Sequence, residues 1–151
     1  MIYEDRLTSS IEKKAKKTEG RVFLPKDIDV SILQTIKYKY PRSRITVNLE
    51  SDEFTCLCPF SGLPDYARLN IKYVPDKRLI ELKSLKYYLY AFRNVRVYNE
   101  HAVNKILNDL KKVLSPRELV VEAEFTARGG IRNKVSASFS RNGKRTNRQN
   151  I

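Results

Sequence analysis

Apolar and polar residues alternate along four segments of the chain, and each segment predicts a β-strand with one apolar face. Strands of this kind pack one face on a core and leave the other in water, which suits antiparallel pairing. The apolar positions are Ile45, Val47 and Leu49, then Ala67, Leu69, Ile71 and Tyr73, then Leu119, Val121, Ala123 and Phe125, and finally Val135, Ala137 and Phe139.

Between the second and third strand candidates the apolar period becomes helical. Two apolar stripes predict two helices, with a link at 94–98 and a helix end at Ser115 and Pro116. The stripes are Leu82, Leu85, Leu89 and Phe92, and Val103, Ile106, Leu107, Leu110 and Leu114. The predicted order is ββααββ, an α+β fold in which both helices cover one face of a four-stranded antiparallel sheet. Its open edges favour self-association.

A length of 151 residues suits one domain, within which three regions differ in pattern. Residues 1–40, with a Lys-rich stretch and scattered prolines, are predicted to form an N-terminal arm, and 41–140 the folded domain. Residues 141–151 lack periodicity and are predicted to be a basic flexible tail. No segment approaches the roughly 18 apolar residues that a membrane helix needs, so no membrane partner is expected.

Composition narrows the class of protein. An apolar fraction of 41% suffices for a core and argues against wholesale disorder. The net charge of +13 is compatible with nucleic acid, an anionic cofactor or a solvated surface, and does not choose among them. The N-terminus lacks the apolar region of a secretory signal, and the two cysteines are too close for a disulfide framework. These features predict a reducing, cytoplasmic location.

Both cysteines lie in a segment rich in proline, at 53–66, which is predicted to be a stiff loop between two strands. Three interpretations are open. Cys56 and Cys58 could be small buried apolar residues, or two metal ligands that His101 would complete from a distant helix. In the third, one cysteine is a nucleophile and Asp65 is its proton donor or acceptor.

A second notable segment, at 81–88, opens the first predicted helix. Lys83 and Lys86 lie in its first turns, where the helix dipole disfavours cations. One interpretation is a solvated amphipathic face, and the other is an anion site suited to phosphates. The chain contains no G-x-G-x-x-G or Walker loop, which excludes a Rossmann cofactor site and a P-loop.

Together these segments resemble the unimodal nitrile reductases of queuosine biosynthesis, the QueF family of the tunnelling-fold superfamily. The octet at 81–88 and the Glu-Phe-Thr-x-x-Cys-Pro-x-x-Gly-x-Pro-Asp pattern at 53–65 carry the resemblance. Further matches are Phe92-Arg93-Asn94, Glu100, Phe125-Thr126 and Arg128-Gly129-Gly130. The resemblance covers about residues 44–131 and leaves out the arm and the tail.

What the resemblance implies is specific. The fold would be a tunnelling fold that assembles into rings, typically two stacked pentamers, with sites between subunits. The activity would be NADPH-dependent reduction of the nitrile of 7-cyano-7-deazaguanine to 7-aminomethyl-7-deazaguanine, through a thioimide on a cysteine. This reaction belongs to the synthesis of queuosine in tRNA.

Carried over position by position, the resemblance also implies roles for individual residues. The nucleophile falls on Cys58 and the proton donor on Asp65, whereas Cys56 would be structural. Substrate binding is implied for Ile80, Glu81, Leu82, Asn99 and Glu100. NADPH binding is implied for Lys83, Ser84, Lys86 and Arg128, and no metal is expected.

Asn99 departs from the family, in which many members have a histidine before the recognition glutamate. Asparagine forms hydrogen bonds but cannot shuttle a proton near neutral pH, and His101 would point elsewhere on a helix. Asn99 and the high positive charge favour an alternative, the related archaeosine synthases, which are amidinotransferases acting on the nitrile within tRNA. The intact octet at 81–88 opposes that alternative, because such an enzyme has no use for NADPH.

A third possibility is a non-enzymatic RNA-binding domain. It would depend on the basic tail and the nine tyrosines, but no RNA-binding motif accompanies them. Contact with tRNA is therefore expected only under the archaeosine synthase alternative.

Overall fold

The computed structural model describes residues 24–143 as a mixed α/β chain with antiparallel sheets and two α-helices. The elements of this range, in chain order, are β1 (Thr35–Lys37), β2 (Val47–Leu57), β3 (Pro64–Val74), β4 (Arg78–Ile80), α1 (Leu82–Tyr90), α2 (Asn99–Leu114), β5 (Glu118–Arg128) and β6 (Ile131–Ser140). Short 3-10 turns lie at Pro25–Asp27, Val30–Ile32 and Ala91–Asn94.

The main sheet has the strand order β2-β3-β5-β6, and every neighbouring pair is antiparallel. The predicted order of elements omitted β1 and β4, which pair with each other in a separate two-stranded sheet. Each has only three residues, too few to show an alternating pattern.

The loop predicted at 53–66 is shorter in the structure. Strand β2 continues to Leu57 and β3 begins at Pro64, so only residues 58–63 connect them. Phe54 and Cys56 are buried and pair across the sheet with β3. Their alternation with less buried neighbours is the strand pattern itself.

One core cluster unites the inward faces of the main sheet with both helices. In β3 and β5 every second residue is buried, and the helices cover this face. Between the helices, the Tyr88 hydroxyl donates to Asp109 Oδ2 (2.6 Å), which also accepts from Lys105 Nζ (2.6 Å). The Asp109 carboxylate thus has a donor from each helix, and the bond to Tyr88 links α1 to α2.

Part of the predicted N-terminal arm belongs to the core. Ile28, Ile32 and Leu33 are buried within the main cluster, and β1 pairs with β4. Arg141, the first residue of the predicted tail, donates to Asp76 (2.9 Å) and to the Ser115 carbonyl (2.6 Å). The Lys-rich part of the arm and residues 144–151 of the tail lie outside the described residues. Neither helix between 24 and 143 has the length and apolarity that crossing a membrane requires.

Candidate active site

Cys58 begins the tight turn that joins β2 to β3. Its N–H donates to the carbonyl of Leu63 (2.8 Å), and the N–H of Gly62 donates to the carbonyl of Cys58 (2.9 Å). Gly62 has a φ of 69°, a conformation that residues with a Cβ rarely adopt. The hydrogen bonds and the glycine hold the turn in one conformation, so the thiol at its start has a defined position.

The thiol of Cys58 is partly exposed, and its own turn activates it. Hydrogen bonds from the Ser61 side chain, and then from the backbone N–H groups of Ser61 and Phe60, lower the pKa of Cys58 from an ordinary 9.0 to about 7. Donors directed at the sulfur favour the thiolate, because the anion is the better acceptor. At neutral pH a large share of Cys58 is therefore thiolate, the nucleophilic form.

Cys56, two residues earlier, has the opposite environment. Its side chain is fully buried in β2. Burial, followed by the negative charge of Asp65, raises the pKa of Cys56 to about 12. A thiol of this kind stays protonated and inert. Of the open interpretations, the buried apolar one fits Cys56, and the nucleophilic one fits Cys58.

Asp65 lies near the start of β3, directly opposite Cys56, and is only 8% exposed. Its Oδ1 lies 2.5 Å from Nη2 of Arg128 at the end of β5, and the same nitrogen donates to the Pro64 carbonyl (3.1 Å). The guanidinium balances the charge of this buried carboxylate. The negative charge of Asp65 acts to raise the pKa of both cysteines, although at Cys58 the hydrogen bonds outweigh it. The structure thus places the predicted nucleophile, the predicted proton donor and Arg128 at one end of the sheet.

The start of α2 lies beside the Cys58 turn, since the ring centroids of Tyr98 and Phe60 are 5.9 Å apart. Glu100 is exposed, and its Oε1 accepts from the Asn133 side chain on β6 (3.0 Å). A hydrogen bond from its own backbone, followed by that of Asn133, lowers the pKa of Glu100. The buried Oδ1 of Asn99 has no hydrogen-bond partner among residues 24–143. In one chain, the exposed carboxylate of Glu100 is therefore an acceptor that this end of the sheet presents to a ligand, whereas the buried Oδ1 of Asn99 is not accessible.

The start of α1 is capped by Glu81. Its carboxylate accepts from the N–H groups of Lys83 (2.9 Å) and Ser84 (2.6 Å). Ser84 is fully buried, and its hydroxyl donates to the Glu81 carbonyl (2.7 Å) and accepts from the Gln34 N–H (2.9 Å). The Glu81 carboxylate therefore already accepts from two of the N–H groups at the helix start that could have bound a phosphate. The hydroxyl of Ser84 likewise has its partners within the chain.

The other residues predicted near α1 differ in exposure. Lys86 and Leu82 are exposed, Leu82 at 60%, and Lys83 is half-buried. Ile80 is buried, and its N–H donates to the hydroxyl of Tyr73 (3.1 Å). Lys86, whose ammonium lies 4.9 Å from the centre of the Tyr87 ring, is therefore the exposed lysine of the predicted NADPH site.

Cys58 and the start of α1 are separated by the length of that helix. At the far end, the Tyr90 hydroxyl donates to Glu53 of β2 (3.4 Å), and the chain then reaches Val95, whose carbonyl accepts from Leu57 (2.9 Å). The nine residues of α1 span roughly 13 Å. Within one chain the structure does not bring the predicted lysines to Cys58.

The sequence did not identify three residues that contact the predicted site. Ser61 bonds to the thiol, Asn133 bonds to Glu100, and Arg96 covers the Cys58 turn. A serine three positions after the cysteine was a readable signal for Ser61, because serine favours local hydrogen bonds in turns. The other two contacts depend on tertiary packing. Between residues 24 and 143, no group of three or more His, Cys, Asp or Glu side chains is arranged to hold a metal ion.

Comparison with known proteins adds independent findings. The family model of QueF-like proteins matches residues 64–144. An NADPH-dependent 7-cyano-7-deazaguanine reductase from Caldicellulosiruptor bescii is 49% identical over 114 residues, which cover 76% of this chain and 87% of the relative. A protein of the same name from Caldanaerobacter subterraneus subsp. tengcongensis is 46% identical over 114 residues, covering 76% of this chain and 85% of the relative.

Among solved structures, the archaeosine synthase QueF-Like in its apo form matches with a TM-score of 0.59. The match covers 64% of this chain and 94% of that chain at 20% identity. At this identity the likeness concerns the fold alone.

Proposed function

The chain belongs to the QueF-like family, and we propose from this membership that it reduces the nitrile of 7-cyano-7-deazaguanine to 7-aminomethyl-7-deazaguanine with NADPH, for queuosine in tRNA. The observation that carries the proposal is Cys58, a partly exposed thiol with a pKa of about 7, held in a rigid turn beside Asp65. A nitrile carbon is a weak electrophile, so its reduction benefits from an activated nucleophile that first converts it to a C=N group.

In the proposed first step, the sulfur of Cys58 forms a bond to the nitrile carbon, and one π bond of the nitrile moves to nitrogen. The proton that left the thiol ends on that nitrogen, so the thioimide forms without a net gain or loss of protons. Asp65 is the proposed carrier of this proton, as acceptor from the thiol and then as donor to nitrogen. Arg128, 2.5 Å away, stabilises the carboxylate form of Asp65 before the first transfer and again after the second.

Glu100 and Asn99 are the proposed recognition groups for the deazaguanine. An ionised Glu100 accepts from the amino and ring N–H groups of the base, a pairing that suits a carboxylate. Oδ1 of Asn99 is buried in the single chain, so it would accept a further N–H from the base only after its side chain turns outward, and it cannot relay a proton. Proton supply at this position then depends on water or on Asp65. The segment Ile80, Glu81 and Leu82 is the proposed remainder of the substrate site.

NADPH, when bound, supplies the hydrides, and two are needed because a nitrile becomes an amine by gaining four electrons. Lys83 and Lys86 are the proposed partners of its phosphates, since ammonium groups at the start of α1 can reach an anion outside the helix. The structure supports this role less well for Ser84, whose hydroxyl is buried and paired within the chain. For Arg128, the ion pair with Asp65 supports a role in stabilising that carboxylate more directly than a role in binding the cofactor.

The proposed fold type is the tunnelling fold, assembled as a ring and then as two stacked pentamers, with each site formed between subunits. The support is the separation of the two groups of site residues by the length of α1. Exposed apolar side chains near each group, Phe60 and Leu63 at one and Leu82 at the other, are suited to burial against a neighbouring subunit. A reducing compartment such as the cytoplasm would keep Cys58 a free thiol.

The test is to mix the protein with 7-cyano-7-deazaguanine and NADPH and to follow absorbance at the nicotinamide band. Oxidation of about two NADPH per nitrile is expected, because each hydride transfer uses one cofactor. Absence of oxidation, with transfer of nitrogen from ammonia or glutamine to the nitrile within tRNA, would establish the archaeosine synthase alternative instead. Absence of both reactions would overturn the proposal that the chain is an enzyme acting on this nitrile.

A further inference from the structure

The segment from Val95 to Val97 lies beside the last residue of β2 like a short additional strand. The Leu57 N–H donates to the Val95 carbonyl (2.9 Å), and the Val97 N–H donates to the Leu57 carbonyl (3.1 Å). These bonds place Leu57 next to Arg96 in parallel orientation. Leu57 immediately precedes Cys58, and Val97 lies two residues before α2. One short segment therefore links the nucleophile turn to the helix that carries the recognition residues.

The side chain of Arg96 extends from this segment over the Cys58 turn. Its Nη1 donates to the carbonyl of Pro59 at 3.4 Å, a long hydrogen bond. Its Nη2 approaches Gly62 so closely that a Cβ built on this glycine would lie only 2.8 Å from it. The guanidinium thus covers the bare backbone of Gly62 and leaves no space for a side chain there.

Tyr98, two residues after Arg96, contacts the same turn from the start of α2. Its ring lies edge-on to Phe60, with centroids 5.9 Å apart. Because Phe60 is 82% exposed, this ring contact alone provides little burial to hold the turn. The Arg96 guanidinium, which meets the turn at two of its residues, is the more extensive restraint.

We propose that Arg96 is a positioning residue for the nucleophile: its planar guanidinium holds the 58–63 turn so that Ser61 stays against the Cys58 thiol. Arg96 itself does not touch the reacting atoms in this account. The inference rests on the proposed function only in that Cys58 is taken as the nucleophile. A planar guanidinium can lie against Gly62 and reach a carbonyl at once, whereas a lysine ammonium is a compact charge on a flexible stem.

The test measures the rate at which iodoacetamide alkylates Cys58 as a function of pH, with neither nitrile nor NADPH present. Fragmentation of the labelled peptide by mass spectrometry separates Cys58 from Cys56. In Arg96→Ala we expect the midpoint of the pH profile to rise by about one unit, and the rate at pH 7 to fall roughly five- to tenfold. Arg96→Lys should restore only part of the rate.

Arg78→Ala is the matched control. Arg78 is also exposed and donates to one backbone carbonyl, that of Val113 (3.1 Å), but lies on β4, away from the turn. This variant should keep the parental profile, and thermal unfolding of all variants reports whether the fold is retained. An unchanged pH profile in folded Arg96→Ala, or an equal shift in Arg78→Ala, would overturn the inference. If the parental protein does not react with the nitrile while Arg96→Ala still shows the predicted alkylation shift, the result counts against the proposed function alone.

Gly62 allows the contact to be tested from the other side. Gly62→Ala should slow alkylation, and it should do so less in the Arg96→Ala background, where the 2.8 Å clash is gone. Gly143→Ala is the control for backbone strain, because Gly143 has a similar φ of 66° and no atom of residues 24–143 lies within 4 Å of a Cβ built on it. Strictly additive effects of Gly62→Ala and Arg96→Ala would contradict the contact.

Discussion

At the scale of single residues, two thiols only two positions apart differ widely in acidity. Cys56 is on the last inward-facing stretch of β2, and Cys58 is where the strand gives way to the turn. The pKa is raised to about 12 at Cys56 by burial and lowered to about 7 at Cys58 by Ser61 and the turn backbone. The boundary between strand and turn therefore decides which cysteine can act as a nucleophile.

This distinction could be predicted from the sequence only in part. The proline and glycine after Cys58 indicated a rigid turn, and the family resemblance selected Cys58 over Cys56. The physical cause of the difference requires the burial of Cys56 and the orientation of the Ser61 hydroxyl, which depend on packing and on turn geometry. The contact of Arg128 with Asp65 likewise depends on the antiparallel register between β3 and β5, which places their ends together.

Ser61 is the residue whose removal should change the acidity of Cys58 most. In Ser61→Ala the strongest cause of the lowered pKa is lost, so the pKa should move from about 7 back toward 9.0. Because the thiolate is the reactive form, thiol alkylation at pH 7 should slow by roughly fivefold for a rise of one unit and by roughly fiftyfold for a full return to 9.0. Above pH 9 the two proteins should react at similar rates.

The measurement is the pH dependence of iodoacetamide labelling at Cys58. Ser61→Thr is the matched control, since it keeps a hydroxyl at the same position and should retain most of the parental profile. A midpoint that stays near 7 in Ser61→Ala would mean that the backbone of the turn alone lowers the pKa of Cys58.

At the scale of elements, the long strands and both helices could be predicted because their periods extend over many residues. The end of β2 was missed because the prolines and glycine near Cys58 outweighed the alternation of Phe54 and Cys56, which was itself readable. The strands β1 and β4 could not be found, since three residues carry no period.

At the start of α1 the chain itself provides an anion for the helix N-terminus, while contact of the lysines with a phosphate stays a prediction. Lysines in the first turn suggested a phosphate at the helix N-terminus. In the structure the anion is the chain's own Glu81, which bonds to the N–H groups of Lys83 and Ser84. Glutamate is not among the preferred capping residues, so this cap was not predicted from the sequence.

At the scale of the whole molecule, one chain holds two groups of proposed site residues that do not meet. Cys58, Asp65 and Glu100 lie toward one end of the sheet, while Lys83 and Lys86 lie in the first two turns of α1, a helix roughly 13 Å long whose other end leads back toward the Cys58 turn. A thioimide and the imine that follows it are both sensitive to water, so a site open on one side would lose its intermediates to hydrolysis. The proposed assembly of several copies would resolve both difficulties.

Co-assembly of two inactive variants tests this arrangement. Cys58→Ala lacks the nucleophile, and Lys83→Ala with Lys86→Ala lacks the proposed phosphate partners, so each assembly alone should reduce little or no nitrile. If a site takes Cys58 from one subunit and the lysines from another, co-expressed mixtures should regain part of the activity, because some sites then contain both intact halves. Activity no greater than that of the two separate assemblies, or a monomeric mass in solution, would contradict a shared site.

The most direct test of the whole account is the mass of the protein after incubation with 7-cyano-7-deazaguanine in the absence of NADPH. We expect a mass increase equal to that of the intact nitrile, located on Cys58, forming faster as the pH rises through about 7. Cys58→Ala should remove the adduct, and Cys56→Ala should keep it, because Cys56 is buried and its thiol stays protonated. A Cys58 thiol that remains free and unmodified, or equal loss of the adduct in both variants, would contradict the account.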